Sequence, residues 1–343
     1  MFKIFITESI LRRITPGRNE KPHADCSHLF SIMKKLKKIY VSSESSDISW
    51  TNTIKANHGL TIDFSKSDYI KNIPLHPETV LRNPSSIFVL DISIIEAEKI
   101  QKSYGVICLC NQNLYLNKLI DTNDEQTTSE GEPMGEGWPT VLRSVSSLPS
   151  NTLLLSDRYL FSCINPRFGE GFANVKSILD VLLPEKFLGE YHVIVIFDNE
   201  NKHPSYSFDE IVTQLDSLKQ KLRRDYPILM EVLGITPDCE IYTKFHNRRI
   251  VSNYYIIKVE HKLAAFNGNE GTSLQTITPQ VLFTLDSLSN RSTPPLKSID
   301  HVTAALRAFS NSASKYLDPS VYRYALNGTQ VLKCMGIKNR ILK

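Results

Sequence analysis

The chain has 343 residues, about twice a typical domain, so two domains are expected and one large domain is not excluded. Hydrophobic residues make up 41% and charged residues 22%, which excludes disordered, collagen-like and supercharged proteins. The net charge of +4 is too small over this length to indicate a polyanionic ligand by itself. Any basic site must therefore be local.

Cysteine usage and hydropathy both indicate a cytoplasmic protein. The six cysteines are scattered, and Cys108 and Cys110 of the C-x-C pair face opposite sides of a strand, a poor arrangement for a metal. Free thiols in a reducing compartment are expected. No apolar run approaches the roughly 18 residues of a membrane span, and charges interrupt the first fourteen positions. Neither a transmembrane segment nor a signal peptide is predicted.

A cluster of lysines lies in residues 31–41. Ile32, Leu36 and Ile39 recur at helical spacing there, which predicts a short amphipathic helix whose other face carries Lys34, Lys35, Lys37 and Lys38. A solvated helix face is one interpretation of this charge. The other is a basic patch that follows the phosphates of nucleic acid or of a membrane surface.

Residues 1–120 are predicted to form an N-terminal α/β accessory domain. Residues 41–80 are rich in Ser, Asn and Asp and are expected to be irregular or weakly β. A buried strand at 86–91, a helix that ends at Gly105, and a strand at 106–110 form a β-α-β unit. We expect this domain to dock a partner.

The acidic, glycine-rich segment 121–140 is predicted to be a loop or linker, because it has almost no aliphatic residues. An α/β domain with a mixed, largely parallel sheet flanked by helices is predicted for 141–290, and a C-terminal helical extension for 291–343. The predicted elements are strand 152–161, helix 174–183 capped by Asn174, strand 191–197, a helical segment 208–234 interrupted near Pro227 with Ser207 and Glu210 as its capping box, strand 240–245, strand 250–259, and helices 301–317 and 321–336.

The strongest functional signal lies between strands 240–245 and 250–259. His246, Arg248 and Asn253 form the pattern H-x-R-x-x-x-x-N, which resembles a degenerate form of the H-x-K-x-x-x-x-D motif of the phospholipase D superfamily. The preceding β-α-β-α order also matches that family, so the resemblance covers about residues 150–265. The chain departs from the family by lacking a second complete motif and the small Gly-Ser or Gly-Thr pair after the first.

The resemblance implies roles for these residues. In this family the histidine attacks a phosphodiester, the basic residue holds the non-bridging oxygens, and the carboxylate orients the histidine. Carried over, His246 is the catalytic residue if the site is active, Asn253 orients it, and Arg248 and Arg249 bind phosphate. Asn253 lacks the charge that stabilises imidazolium, so catalysis is expected to be weak or absent. Single-motif members pair two subunits, which makes a homodimer a conditional hypothesis.

Other interpretations stay open. His246, Arg248 and Arg249 also fit a surface turn without a ligand. Acids at strand ends suit a metal site at the carboxyl edge of a sheet, but they are equally ordinary turn and capping residues: Asp91, Asp157, Asp198 and Glu200. We therefore assign no metal site and expect no cofactor.

Arg340, in the basic C-terminal segment, is also assigned to the predicted nucleic-acid surface, together with Lys34, Lys35, Lys37 and Lys38. We predict a cytoplasmic, non-catalytic or weakly catalytic subunit that recognises phosphate or nucleic acid within a larger assembly, in a nucleic-acid-processing or defence system. Its partners are nucleic acid and either a protein subunit or a second copy. Two alternatives remain: a metal-independent phosphodiesterase or nuclease that uses His246 across a homodimer, and a phospholipid-binding adaptor.

Overall fold

The structure is a computed structural model, and it describes the following residues: 2–18, 20–44, 48–116, 126–128, 137–162, 170–237, 242–245, 248–260, 263, 266–267, 270–271, 275–282, 303–304, 306–307, 322–327, 330–333 and 337–342. The chain divides into two compact units. Unit 1 contains Met1–Asp121, Leu282–Leu296 and Lys343, and unit 2 contains Thr122–Val281 and Lys297–Leu342. The change of unit after Asp121 falls at the first residue of the acidic segment.

Unit 1 is built on a five-stranded parallel sheet. Its strands are β1 Lys3–Thr7, β2 Lys38–Ser42, β3 Thr61–Asp63, β4 Ser86–Leu90 and β5 Ile107–Cys110. Its helices are α1 Glu8–Ile14, α2 Ser27–Leu36, α3 Ser49–His58, α4 Ser67–Asn72 and α5 Ile94–Tyr104. The strand order is β3-β2-β1-β4-β5, and every neighbouring pair is parallel. The order therefore reverses between β1 and β4, where open α/β sheets collect ligands at their carboxyl edge.

Local sequence explains where helices of unit 1 begin and end. α5 starts with a capping box in which the Ser93 and Glu96 side chains each accept from the other residue's backbone N–H. It ends at Gly105 with φ 58°, and α3 ends at Gly59 with φ 68°. Glycine adopts this left-handed conformation at little cost. Each glycine therefore ends its helix shortly before the next strand begins.

Aromatic packing organises the core of unit 1. The Phe5 ring stacks on Tyr40 and Phe88, with ring centres 5.2 and 5.3 Å apart. Ile70 and Ile100 are also buried in this cluster, so it joins β1, β2 and β4 to α4 and α5. Burial of such side chains contributes about 1.5–3 kcal/mol each.

Unit 2 contains a mixed sheet. Its strands are β6 Gln126–Thr128, β7 Thr152–Ser156, β8 Tyr191–Asp198, β9 Ile228–Ile235, β10 Arg248–Ser252, β11 Tyr255–Val259, β12 Phe266–Asn267, β13 Glu270–Gly271, β14 Gln275–Val281, β15 Tyr322–Asn327 and β16 Gln330–Lys333. Its helices are α6 Trp138–Val141, α7 Arg143–Ser146, α8 Glu170–Leu182 and α9 Phe208–Lys221. The described strands form a nine-stranded sheet of order β16-β15-β9-β8-β7-β10-β11-β14-β6, with β12 and β13 as a separate pair.

The centre of that sheet is parallel. β7, β8 and β9 run parallel, and every residue of these three strands is buried. α8 follows β7 and α9 follows β8, so each helix forms a crossover. Outside the centre, β10, β11 and β14 pair antiparallel beside β7, and β15 pairs antiparallel with β9. The mixed α/β architecture predicted from the sequence is thus confirmed.

Two predicted helical regions are strands instead. Residues 228–234 were expected to continue a helix, but Ile228–Ile235 forms β9, because a continuous apolar run also suits a strand that is buried on both faces. Residues 322–327 and 330–333 form an antiparallel hairpin rather than a helix. The Asn-Gly pair at 327–328 is a strong hairpin signal that the helical interpretation did not use.

Smaller corrections concern single elements. The segment 240–245, expected to be a strand, contains a 3-10 turn at Tyr242–Phe245. Residues 41–80 contain α3 and α4 rather than mainly irregular structure. Asn174 lies inside α8, and its Oδ1 accepts a hydrogen bond of 2.7 Å from Trp138 Nε1, so its amide joins helices instead of capping one. The capping box of Ser207 and Glu210 at the start of α9 is confirmed.

Candidate functional site

The carboxyl edge of β7 and β8 carries a cluster of charged and aromatic side chains. β7 is followed directly by Asp157, Arg158 and Tyr159, and β8 ends at Asp198. Backbone hydrogen bonds from Asp157 N to Ile196 O and from Asp198 N to Arg158 O join the two strand ends. Since parallel strands end at one edge of a sheet, the backbone itself brings these side chains together.

Asp157 is fully buried, and its carboxylate organises this edge. Its Oδ1 accepts from Tyr159 N at 2.9 Å, and its Oδ2 accepts from Leu263 N at 2.6 Å. The Nε of Arg248 lies 3.8 Å from the same Oδ1. A buried carboxylate is stable only with such donors and charges around it. Asp157 therefore fixes the loop after β7 and holds Arg248 at the edge.

Asp198 has a structural role in the next loop. Its Oδ1 accepts from Glu200 N at 2.9 Å and from Asn201 N at 3.1 Å. Its Oδ2 accepts from Asn201 Nδ2 at 2.6 Å and from the hydroxyl of Tyr242. The bonds from Glu200 and Asn201 stabilise the turn after β8. The bond from Tyr242 holds its ring at the edge. Burial, together with the hydrogen bond to Asp198 and its charge, raises the pKa of Tyr242 to about 12.

Two arginines and two tyrosines alternate in space at this edge. The Arg158 Cζ atom lies 4.5 Å from the ring centre of Tyr242 and 5.6 Å from that of Tyr159. The Arg248 Cζ atom lies 5.3 Å from the Tyr159 ring centre. All three distances are within the range of cation–π contacts. We call Arg158, Tyr159, Tyr242 and Arg248 the Arg–Tyr site.

The two arginines differ in how much of their hydrogen-bonding capacity is used. Arg248 pairs with Asp157 and its Nη1 donates to Glu260 O at 3.2 Å, although its Nε, like that of Arg158, has no hydrogen-bond partner among the described residues. Arg158 takes part in none of the ion pairs that the described residues form, and its buried Nε has no hydrogen-bond partner. A buried donor without a partner costs about 1–3 kcal/mol. Arg158 is therefore the guanidinium that an added anion would satisfy.

Further polar atoms at the ends of the parallel strands are unsatisfied. Ser156 Oγ, Asn199 Oδ1 and Thr236 Oγ1 are buried without a hydrogen-bond partner, and they lie at the ends of β7, β8 and β9 respectively. Most buried polar groups in proteins are paired, so such a concentration marks a place where ligand or water binds. The carboxyl edge of unit 2 is thus incompletely satisfied by the protein itself.

The structure separates the two arginines that the sequence grouped as phosphate ligands. Arg248 belongs to the Arg–Tyr site, but the next side chain of β10 points to the opposite face of the sheet. There Arg249 is 4% exposed and lies opposite Ser156 on β7 and Lys258 on β11. Burial lowers the pKa of Arg249 to about 10. Burial, and then the Arg249 charge, lower the pKa of Lys258.

The remaining motif residues are not brought together in the described structure. Asn253 lies just beyond the far end of β10, where its Oδ1 accepts from Asn151 N at 3.2 Å. His246 lies outside the described residues, between Phe245 and Arg248 in sequence. The roles predicted for His246 and Asn253 stay predictions.

The predicted basic surface is divided between the units. In unit 1, the four lysines are exposed, and α2 ends before the last two of them: Lys34, Lys35, Lys37 and Lys38. The Lys38 Nζ atom lies 2.8 Å from Asp63 Oδ2, and this hydrogen bond lowers the pKa of Asp63 to about 2. In unit 2, Arg340 is 7% exposed and its Nη1 donates to Asn151 O at 3.3 Å. Arg340 therefore contributes little to an accessible surface.

Three members of the Arg–Tyr site were missed by sequence reasoning: Arg158, Tyr159 and Tyr242. A usable signal was present for the first two, because the sequence SDRY follows a buried strand, where α/β sites collect. Tyr242 was hidden by the expected strand at 240–245. Its position depends on a hydrogen bond to Asp198, 44 positions away, which no local pattern shows.

The described part of the chain gives no support for two other kinds of site. Asp157 and Asp198 lie at one edge, but no group of three or more His, Cys, Asp or Glu side chains there is arranged to hold a metal ion. Among the same residues, no helix combines the length and the apolar character that crossing a membrane requires.

Comparisons with known proteins add no family. No family model matches the chain, and no curated protein matches it in sequence. Neither comparison identifies a phospholipase D-like domain, so that resemblance stays a prediction from residues 150–265.

Proposed function

We propose that unit 2 binds the phosphates of a nucleic acid at the Arg–Tyr site, with single-stranded nucleic acid as the favoured form. The observation that carries this proposal is Arg158, whose guanidinium lies against the Tyr242 ring, forms no described ion pair and has an unpartnered buried Nε. Arg248 lies against the other tyrosine of the site. Planar guanidinium groups contact two phosphate oxygens at once, which makes arginine a strong phosphate ligand.

The tyrosines favour a polymer with bases over an isolated phosphate. Tyr159 and Tyr242 are partly exposed, and each lies against at least one guanidinium. Proteins that bind single strands combine a positive groove with aromatic rings on which bases stack, worth about 1–3 kcal/mol per base. Unit 2 has arginines and tyrosines in contact at one edge of its sheet.

We infer a recognition role without efficient catalysis, within a larger assembly. The carboxylates at this edge, Asp157 and Asp198, are occupied by backbone N–H groups, an amide and a tyrosine hydroxyl. They are therefore poorly suited to accept a proton from a reacting water. A nucleic-acid-processing or defence complex is a setting in which such a subunit would act, with a protein partner or a second copy.

The experiment measures binding of a fluorescent single-stranded oligonucleotide to the full chain across a salt series, with a duplex of the same sequence beside it. We expect salt-dependent binding that Arg158→Gln weakens about tenfold, with the slope against log salt reduced by about 0.7 for one lost phosphate contact. Arg143→Gln is the matched control, because Arg143 is an exposed arginine of α7 outside the site. Its binding curve should equal that of the wild type.

Product gels and vesicles decide between this proposal and its alternatives. Cleavage that His246→Ala abolishes would replace recognition with a phosphodiesterase. Binding to vesicles containing anionic phospholipid, without binding to any oligonucleotide, would replace it with a lipid adaptor. Absence of oligonucleotide binding at every salt concentration contradicts the proposal directly.

A further inference from the structure

A polar cavity of about 580 Å³ lies in unit 1, beside the segment that follows β5. Its lining includes Arg13 at the end of α1, His23, Asp25 and residues 111–115. Small-molecule sites occupy about 300–1,000 Å³, so the cavity is large enough for a ligand of moderate size. It belongs wholly to unit 1 and is independent of the Arg–Tyr site.

Side chains of residues 111–113 offer hydrogen-bonding groups that the other described residues do not use. Asn111 and Gln112 are exposed, and neither side chain makes a hydrogen bond to another described residue. Asn113 uses only its Oδ1, which accepts from Tyr115 N at 3.4 Å. Primary amides carry both donors and acceptors, the pattern that pairs with the edge of a nucleobase, above all adenine.

The other lining residues supply a guanidinium group, an aromatic ring and two buried apolar side chains. Arg13 Nη2 donates to Asn111 O at 3.0 Å, which holds the guanidinium against the cavity while its other N–H groups remain available. Tyr115 is 42% exposed, and the lining residues Leu114 and Ile14 are buried. A ring face, unused amides and a guanidinium within one cavity match a base, its polar edge and a phosphate.

We propose that this cavity binds a mononucleotide, with an adenine nucleoside monophosphate as the best-matched class. The base stacks on Tyr115, the amides of the 111–115 segment bond to its edge, and Arg13 pairs with the phosphate. The His23 ring, whose Nδ1 accepts from Asp25 N at 3.5 Å, borders the same space, as does the exposed Asp25 carboxylate.

The test is calorimetric titration of the full chain carrying Arg158→Gln, so that binding at the Arg–Tyr site is not mistaken for binding here. The probes are AMP, adenosine and inorganic phosphate. We expect AMP to bind, and adenosine and phosphate each to bind at least tenfold more weakly, because each engages only part of the lining. No heat with AMP at millimolar concentration overturns the proposal.

Three variants in that background locate the ligand. Tyr115→Leu should weaken AMP binding about tenfold through lost stacking, and Arg13→Gln should weaken AMP but leave adenosine unchanged. Lys55→Gln, at an exposed cation of α3 outside the cavity, should change nothing. Arg13 and Tyr115 are both exposed, and thermal unfolding of each variant verifies that it is folded. AMP affinity that is unchanged in both Tyr115→Leu and Arg13→Gln contradicts the proposal, whatever the oligonucleotide experiment shows.

Discussion

The carboxyl edges of the two sheets carry opposite chemistry. In unit 1 the first residues after β1 are Glu8 and Ser9, and the Ser9 hydroxyl lies 3.2 Å from Asp91 Oδ2 and 3.4 Å from Glu44 Oε1. Arg12 is paired with the buried carboxylate of Glu8 at 2.6 Å. These side chains are acidic, and Arg12 beside them is already paired with Glu8.

The same edge of unit 2 presents arginines. Asp157 and Asp198 lie there too, but they are turned into the protein, where backbone N–H groups occupy them. Arg158 and Arg248 remain at the surface of the edge with two tyrosines. Both units therefore place acids after their central strands, and the difference lies in which groups those acids contact.

Topology determines that each unit has a crevice at its carboxyl edge, and side chains determine which charge that crevice can bind. Parallel strands and crossover helices create a crevice at the carboxyl edge in either unit. Dinucleotide-binding sheets use the helix after β1 to hold phosphate, but α1 begins with Glu8 and has no glycine-rich turn before it. An anion is disfavoured beside the acids that follow β1, β2 and β4 in unit 1, and it is favoured at the edge of unit 2.

The largest expected effect concerns the buried acid of unit 2. Asp157→Ala removes the acceptor for two backbone N–H groups and the partner of Arg248, so it should destabilise unit 2 by about 2–5 kcal/mol. Asp91→Ala at the edge of unit 1 removes an exposed carboxylate and should cost less than about 0.5 kcal/mol. Urea unfolding followed by circular dichroism measures both. Equal losses would mean that the two edges do not differ in how their acids are used.

The second prediction concerns the stability of the folded chain at alkaline pH. Burial raises the pKa of Tyr226 to about 12, and the pKa of Tyr242 is raised to the same value. In the unfolded chain both hydroxyls lose their protons near their ordinary value of 10, so stability from these groups is present below pH 10 and falls between pH 10 and 12. Arg249 and Arg340, whose pKa values fall to about 10 in the folded state, act in the opposite direction over the same range.

We expect the tyrosines to dominate in unit 2, because burial also raises the pKa of Tyr191 and Tyr255 there. Tyrosinate absorbance should therefore appear together with loss of circular dichroism above pH 10, rather than before it. Titration of these tyrosines in a chain that stays folded would contradict the expectation. Tyr69, a half-buried tyrosine of unit 1 whose pKa burial raises to about 12, should follow the same rule.

The sequence was sufficient for the elements with strong local signals. The capping box at Ser207 and the glycine that ends α5 at Gly105 were both predicted, because caps depend on residues within one turn. β9 was not predicted, because its Leu, Met and Glu residues also favour a helix and the segment follows α9 closely. Its pairing with β8 and β15 stabilises the strand, and that pairing is not visible in the local sequence.

Prediction of the binding site from local sequence was limited in the same way. Arg248 was selected from a linear motif, and it does lie beside Arg158, but the motif also selected Arg249, which the pleat of β10 sends to the other face. Arg158 and Tyr242 meet only because β7, β8 and the 3-10 turn after β9 converge in three dimensions. Linear spacing finds residues of one element, whereas binding sites at sheet edges combine several.

The smallest expected effect tests whether the acidic edge of unit 1 is indifferent to the polymer. Glu44→Gln combined with Asp91→Asn keeps acceptors for the Ser9 hydroxyl and removes two negative charges. Counterion release depends on the phosphates that cations contact, so the salt slope of oligonucleotide binding should not change and the affinity should change less than about twofold. Tightening of tenfold or more in the same titration would show that these carboxylates repel the polymer, and it would contradict the expectation that the acids of unit 1 have no part in its binding.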